Sequence, residues 1–493
     1  MNKKLFTRIV CLVLLVLTAV SVCACTEGGN KPTETKAPSK TEAPEETHVL
    51  PDLPEMTFDG YTFSVAHWEL SGMTPKYNDV YVEEDDADPI VTAVYRRDAK
   101  LSEQLDINFE FDYMAYNEIQ ALCKTCVNSS DDIYDLIYLR MHETPTPMME
   151  GDFLDFENDF QYIDLDKPYY DQGLRKELSF ADHLFLAASD LNIEDKQDTY
   201  AIAFNKKIAV DYNLGDLYQL VRDGQWTLDK FYELCSAVQN DDNGDSKIDT
   251  ADDTIGFLGN DDATIAFFFS LGCRFTEKDD FDYPEYCFND EDIFNRVEAM
   301  LDFFYDDTAC VAGNKTYSMS NADCFKANRG LFNMITINSV IGWRGEEDLD
   351  FGVLPPPYYE EGDDVKCLVS RHHCGIMSVL RCEQDIDTVG YIIEAMSGNS
   401  YGLQDAYYDV TLKTKAARDD ESQDMLDLIF ANRTTDIGEV MDFGSFATEI
   451  LRYVSRNKNF GQLSSTYASA ESKINTAIEK FYGQIEEIDS MRG

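Results

Sequence analysis

The sequence predicts an α/β protein in which mostly parallel sheets are flanked by helices, divided over more than one domain. Three observations carry this. At about 100–200 residues per domain, a chain of 493 residues makes two or three domains, and 44% hydrophobic residues give each a core. Strand-like and helix-like segments alternate from residue 60 onward, the order that produces parallel strands joined by helical crossovers. Beyond the N-terminal leader there is no run of eighteen apolar residues, so the body is expected to fold in water.

The first segment reads as an address. Lys3, Lys4 and Arg8 precede an apolar run, Ile9 to Val22, that is shorter than the ~20 residues needed to cross a bilayer, and small residues close it. Residues 1–24 are expected to be a signal peptide. Val22-Cys23-Ala24-Cys25 resembles a bacterial lipobox, which implies cleavage before Cys25 and diacylglycerol on its thiol. Each buried methylene would strengthen that tether by about 0.8 kcal/mol. An ordinary signal peptide with incidental cysteines is the competing reading. Residues 25–54 are rich in Thr, Pro, Glu and Lys and are expected to be lipid anchor and disordered spacer. The expected location is the extracellular face of the cell membrane, lipid-anchored.

The body comes next. Gly60–His67 has strand composition and ends at Trp68. Pro89–Leu105 carries helical apolar spacing, Ile107–Tyr113 alternates as a strand does, Tyr116–Val127 is helical again, and Tyr134–Leu139 is a compact apolar strand. Leu184–Ala188 and Tyr200–Phe204 read as further strands, with helices near 206–223 and 228–239. A second alternating section runs through 254–378. Residues 384–493 read as mainly helical, with apolar spacing at Ile386–Met396, Met425–Phe430, Phe446–Val454 and Ile474–Phe481. Open α/β sheets bind ligands at the carboxyl ends of their strands. That points first to Trp68, to Arg140 and His142, and to Asp190 in the segment after Ala188.

Charge excludes several functions. Against 41 Lys+Arg stand 93 Asp+Glu, a net −52, a field that repels phosphate backbones and anionic headgroups. No nucleic acid is expected as a partner. The chain has no Gly-x-Ser-x-Gly elbow, no His-Glu-x-x-His helix and no phosphate loop of the Gly-x-x-x-x-Gly-Lys-Ser/Thr kind. With 93 acidic residues some pair always imitates a glycosidase dyad, so pairs prove nothing. No catalytic residue is assigned. Cys123-Lys-Thr-Cys126 has redox spacing, but it lies inside a helical run instead of at a helix start, where a thiolate is stabilised, and it reads as core thiols.

The clearest chemical motif is Asp241-Asp-Asn243-Gly-Asp245-Ser-Lys247-Ile-Asp249-Thr-Ala-Asp252. Oxygen donors at positions 1, 3, 5, 9 and 12 and a carbonyl at position 7 are what a twelve-residue calcium loop supplies. These are Asp241, Asn243, Asp245, Asp249, Asp252 and the backbone of Lys247, and structural Ca2+ is expected there. Ser246 stands where such loops carry glycine, and Asp252 replaces the bidentate glutamate. A solvated acidic turn is the alternative.

Ala201-Ile-Ala-Phe-Asn205-Lys206, then Leu217-Tyr-Gln-Leu-Val-Arg-Asp-Gly224-Gln-Trp226-Thr-Leu-Asp229-Lys-Phe231, resembles the extracellular solute-binding proteins of bacterial ABC importers, family 1, the carbohydrate-associated group. Gly330-Leu-Phe332, Asp350-Phe-Gly-Val-Leu-Pro355 and the Leu426–Arg433 helix add to it. The resemblance implies a two-lobed periplasmic-binding-protein-like fold (type II) with extra C-terminal helices, lobe 1 formed by 55–200 plus 376–430 and lobe 2 by 201–375 plus 431–493. It implies crossings near Thr199–Phe204 and His372–Ser378, a sugar or oligosaccharide held between the lobes, ABC permease subunits as partners, and a monomer without enzymatic activity. Trp343, in Ile337-Asn-Ser-Val-Ile-Gly-Trp343-Arg344, resembles the segment that sets aromatic rings beside the sugar. Trp68, Arg140, His142, Asp190 and Trp343 are the expected ligand-binding residues. Core packing competes for both tryptophans, and Trp226 is expected to be structural. An exported polysaccharide-processing enzyme and a cell-surface sensor or adhesion module of the same fold are the alternatives.

Overall fold

The computed structural model describes residues 48–69, 79–288, 290–306, 308–311, 318–343, 345–416, 419–447 and 463–492. The signal peptide, Cys25, most of the spacer, Arg344 and the larger part of the expected Phe446–Val454 helix lie outside the described residues. In chain order the strands are β1 (Tyr61–Glu69), β2 (Ile107–Ala115), β3 (Leu136–Arg140), β4 (Tyr200–Asn205), β5 (Ile255–Leu258), β6 (Thr276–Lys278), β7 (Pro284–Tyr286), β8 (Cys310–Val311), β9 (Gly330–Thr336), β10 (Phe351–Leu354), β11 (Cys367–Leu368), β12 (Gly375–Ser378) and β13 (Arg433–Thr434).

Two mixed sheets organise the body. The first has order β12-β3-β1-β2, with β1 parallel to both neighbours and β12 antiparallel to β3. The second has order β10-β4-β9-β5-β8, with β4 antiparallel to β9 and β10 and the pairs β5–β9 and β5–β8 parallel. The helix Pro89–Leu105 forms where its sequence starts it: the Asp88 side chain accepts from Ile90 N, Pro89 needs no donor at the first turn, and Asp106 closes the end in the left-handed region at φ 53°. Its apolar positions Ile90, Val94 and Leu101 are buried.

Three departures from the expected elements have physical reasons. Leu184–Ala187 is fully buried, yet it makes one isolated bridge, Ala187 to Met377. A short apolar run reports burial, not pairing. The expected helix 206–223 is two helices, Lys206–Asp211 and Leu217–Arg222, divided by Asn213 (φ 53°) and Gly215 (φ 83°), with Asp216 capping the second. The helix Asp420–Ala431, placed with lobe 1 by the sequence, packs against β10 in the second sheet.

The chain passes between the sheets at three places that are hydrogen-bonded side by side. Thr199 pairs with Val369, Ser370 N donates to Asp198 O at 2.9 Å, and Val369 N donates to Thr434 O at 2.9 Å. The ribbon β11–β13 continues this pairing. The expected crossings, Thr199–Phe204 and His372–Ser378, overlap these passages at their N-terminal ends; their remainders, through Phe204 and from Gly375 onward, belong to β4 of the second sheet and β12 of the first.

Candidate functional site

The carboxyl ends of β1, β2 and β3 converge beside the crossing segments. Trp68 stands near the end of β1 but is only 1% exposed. Its Nε1–H donates to Glu194 Oε2 at 3.2 Å, and the same oxygen accepts from Gly375 N at 2.5 Å. A Cβ on Gly375 would lie 2.5 Å from Trp68 Nε1, so only glycine lets the start of β12 approach this closely. His67 is buried beside them, its Nδ1 2.6 Å from Trp68 O and its Nε2 3.7 Å from Glu194 Oε1.

Arg140 leads out of this core. Its Nε donates to Glu143 Oε2 at 2.7 Å, its Nη2 also contacts Glu143, and Nη1 reaches His372 O at 3.3 Å. The guanidinium lies 4.0 Å from the Tyr116 ring centroid and 5.3 Å from that of Trp68. Burial pushes the Glu143 carboxyl up, and hydrogen bonding to Arg140 opposes this. His142 is exposed; its ring lies 4.4 Å from that of His372, and its backbone N donates to Arg371 O at 2.9 Å. Tyr113 and Tyr116, at the end of β2 and just beyond it, are 39% and 43% exposed.

Of the expected ligand residues, the structure therefore brings Trp68, Arg140 and His142 together. Trp68 offers its ring to Arg140 and not to solvent. Asp190 lies in the ion network of the crossing segments, 3.5 Å from Lys196 Nζ, and burial raises its pKa against the pull of Lys196. Trp343 is 7% exposed, stacked on Phe325 at 5.1 Å and edge-on to Phe351 at 5.7 Å. It is a core residue at the second sheet, and core packing is what its surroundings supply. Trp226 is structural as expected: it is fully buried and donates to Pro355 O at 2.9 Å. The residues missed are Tyr113, Tyr116, Glu143, Glu194 and His372. The strand-end rule, applied to β2, would have found the two tyrosines.

A cavity of only about 10 Å³ opens at the crossing, lined by Tyr200, Asp262, Arg371, His372 and Glu439 among others. Larger cavities lie elsewhere. One of about 450 Å³ sits at the far end of β4 around Lys206, Tyr218 and Asp419, and one of about 280 Å³ lies between residues 145–150 and the helix Leu463–Arg492. The strand-end site is thus an exposed edge and not an enclosed cavity.

The acidic loop folds onto its own backbone. Asp241 accepts from Gly244 N and Ser246 N, both at 2.7 Å, Asn243 from Asp245 N at 2.8 Å, and Asp245 from Lys247 N at 2.8 Å. Ser246 takes φ 65°, the conformation glycine would take there. Asp249 accepts from Ala251 N at 2.9 Å, which lowers its pKa, and from Ser318 Oγ at 3.0 Å. The loop is closed by Asp253, fully buried, which accepts from Asp242 N and Asp249 N at 2.9 and 2.7 Å. Asp252, expected to close it, is exposed. The donors are oxygens, as calcium requires, but among the described residues no three His, Cys, Asp or Glu side chains converge as metal ligands.

Cys123 and Cys126 are buried, unpaired thiols. Burial pushes Cys123 up to about 12, which suits a core residue and not a nucleophile. Among the described residues no helix is long and apolar enough to cross a membrane.

No family model matches the sequence, and no curated protein matches it. Solved structures do. A cyclo/maltodextrin-binding protein complexed with maltotetraose is 12% identical, covering 86% of this chain and 97% of that one at a TM-score of 0.54. The chain has the fold of the two-lobed solute-binding proteins. An extracellular solute-binding protein from Staphylococcus aureus in complex with maltose is 11% identical, covering 87% of this chain and 99% of that one at a TM-score of 0.55. UgpB from Mycobacterium tuberculosis in complex with glycerophosphocholine is 12% identical, covering 79% and 95% at 0.55. The first two of these neighbours are binding proteins by name.

Proposed function

We propose that this chain is an extracytoplasmic solute-binding lipoprotein that captures a sugar or oligosaccharide at the junction of its two sheets and delivers it to an ABC permease. The observation that carries the reading is the strand-end edge, where exposed tyrosine rings, a stacked guanidinium and a histidine pair gather beside three crossing passages. Sugars present flat C–H faces and rings of hydroxyls, which aromatic faces and planar polar groups match. A ligand touching both sheets binds a closed arrangement better than an open one and shifts the population toward it. The closed form then presents the surface a permease recognises. The chain acts as a monomer, changes no covalent bond in its ligand, and is held to the membrane by lipid on Cys25. Calcium at the 241–252 loop is part of the proposal on the strength of its oxygen donors alone.

The test is a thermal-shift and calorimetric screen of mono- and oligosaccharides, with amino acids and polyamines as controls. A cognate saccharide at 100 times its Kd should stabilise the protein by about 2.7 kcal/mol and be recovered unchanged. Stabilisation by amino acids alone, or release of new reducing ends, refutes the reading.

A further inference from the structure

Solved structures of this fold hold maltotetraose in one case and glycerophosphocholine, a zwitterionic phosphodiester, in another, so the fold alone does not decide whether the guest carries charged groups. The side chains at the strand-end edge do, and their choice of guest rests on the proposed solute-binding role. Four cations of the crossing segments and the strand-end edge, Arg140, Arg371, Arg433 and Lys196, are each paired with carboxylates. Arg140 is held by both oxygens of Glu143. Arg371 Nε lies 2.9 Å from a Glu439 carboxylate oxygen, and its Nη2 lies 3.5 Å from Asp442. Arg433 contacts Asp171 and lies 3.2 Å from Asp195, and Lys196 lies 3.5 Å from both Asp190 and Asp195. Arg371 and Glu439 are 3% and 3% exposed, so neither reorients toward a ligand without breaking a buried pair, which is strongly unfavourable. Glu69 adds an exposed carboxylate at the end of β1.

An anionic guest arriving here meets guanidinium and ammonium groups already paired with carboxylates, and a surplus of negative charge. An uncharged ring needs no cation: its apolar face can lie on Tyr113 or Tyr116, both exposed, and its hydroxyls can donate to carboxylates. We propose that this edge selects uncharged saccharides over uronates and sugar phosphates, and that Glu143 is the positioning residue that sets the choice by keeping Arg140 neutralised against the Tyr116 ring. The relevant quantity is a ratio of affinities, because specificity is a difference and needs a repulsive element as well as an attractive one.

The experiment is isothermal calorimetry on the mature chain with uncharged tetrasaccharides (maltotetraose, cellotetraose, xylotetraose) and with trigalacturonate and glucose 6-phosphate, on wild type, Glu143→Gln and Glu143→Asp. The expected result is binding of at least one uncharged probe and at least 100-fold weaker binding of every anionic probe. Glu143→Gln should narrow that ratio at least tenfold, and Glu143→Asp, which keeps the charge, should retain it. Anionic probes binding within threefold of the best uncharged probe to wild type overturn the selection while leaving the solute-binding reading in place. An unchanged ratio in Glu143→Gln overturns the role of Glu143. If no saccharide of either charge binds wild type, the solute-binding reading falls and the selection with it. The wild-type ratio needs no variant to fold, and a merely structural role for Glu143 would weaken all probes alike.

Discussion

Glu383 lies beyond β12 at the end of the first sheet opposite the tyrosines, and its carboxyl is placed where charge is costly. It is 5% exposed. One oxygen accepts from Asp385 N at 2.6 Å, and the other is buried with no donor reaching it. Asp132 accepts from the neighbouring Gln384 N at 3.1 Å, and Asp135 takes Tyr61 Oη–H and Ser64 N. Burial first, then the carboxylates of Asp135 and Asp132, pushes Glu383 from 4.5 up to about 8. The sign comes from proton counting. Between about 4.5 and 8 the folded chain holds a proton that the unfolded chain has released, so stability is greatest at low pH and is lost as pH rises through that window. At 1.36 kcal/mol per pKa unit the loss has a ceiling of about 5 kcal/mol. Glu383→Gln keeps the shape, still accepts from Asp385 N and carries no charge. With about 2 cal/mol/K of unfolding entropy per residue, several hundred residues convert the ceiling to a Tm gain of about 5 °C. Differential scanning calorimetry should therefore find the variant about 3–5 °C more stable than wild type at pH 8.5 and equal to it at pH 4.5. A gain of the same size at both pH values, or a loss at both, would falsify the reasoning, because only a titrating group produces a difference that depends on pH.

Four further expectations come from the same kind of contact. Tyr116→Ala removes an exposed ring and the stacking partner of Arg140, and should weaken binding of a cognate saccharide about tenfold, or about 1.4 kcal/mol by calorimetry, with Tm unchanged within about 1 °C. Gly375→Ala forces a methyl against Trp68 and the Glu194 carboxylate; overpacking of this kind costs about 1–3 kcal/mol, readable as a lower urea midpoint and an altered tryptophan emission. Chelator should lower the melting temperature if calcium occupies the 241–252 loop; no shift on chelation, together with no calcium by elemental analysis, removes the ion from the account. Cys25→Ser should move the mature protein from the membrane fraction to the soluble one, and a variant that stays membrane-bound argues against the lipid anchor.

Much of the first sheet was legible because its local signals agree. Asp88 and Pro89 mark a helix start, and the apolar spacing continues to Leu105. Alternation over Ile107–Tyr113 reads correctly as β2, and in the second sheet the apolar run Tyr200–Phe204 reads correctly as β4. Long-range chemistry was less legible. The partners of Arg140 include His372, 232 positions away, and no local pattern encodes that contact. The tryptophans misled for a related reason: Trp68 and Trp343 occupy positions that suit a ligand platform, but aromatic residues at such positions serve a core equally well, and both are buried. In the acidic loop, spacing identified the oxygen donors but not which carboxylate turns inward. Asp252 and Asp253 are adjacent, and the inward direction was set by the backbone amides of Asp242 and Asp249.

The side-by-side pairing of the three passages limits how the two sheets can move. Because Thr199, Val369 and Thr434 share backbone hydrogen bonds, the passages must flex together, as a torsion bar rather than as separate strings. Opening and shutting then approximate a single rotation, and a substitution in any one strip resets the resting angle felt by all. A protease that nicks one strip should leave both halves attached and still able to swing.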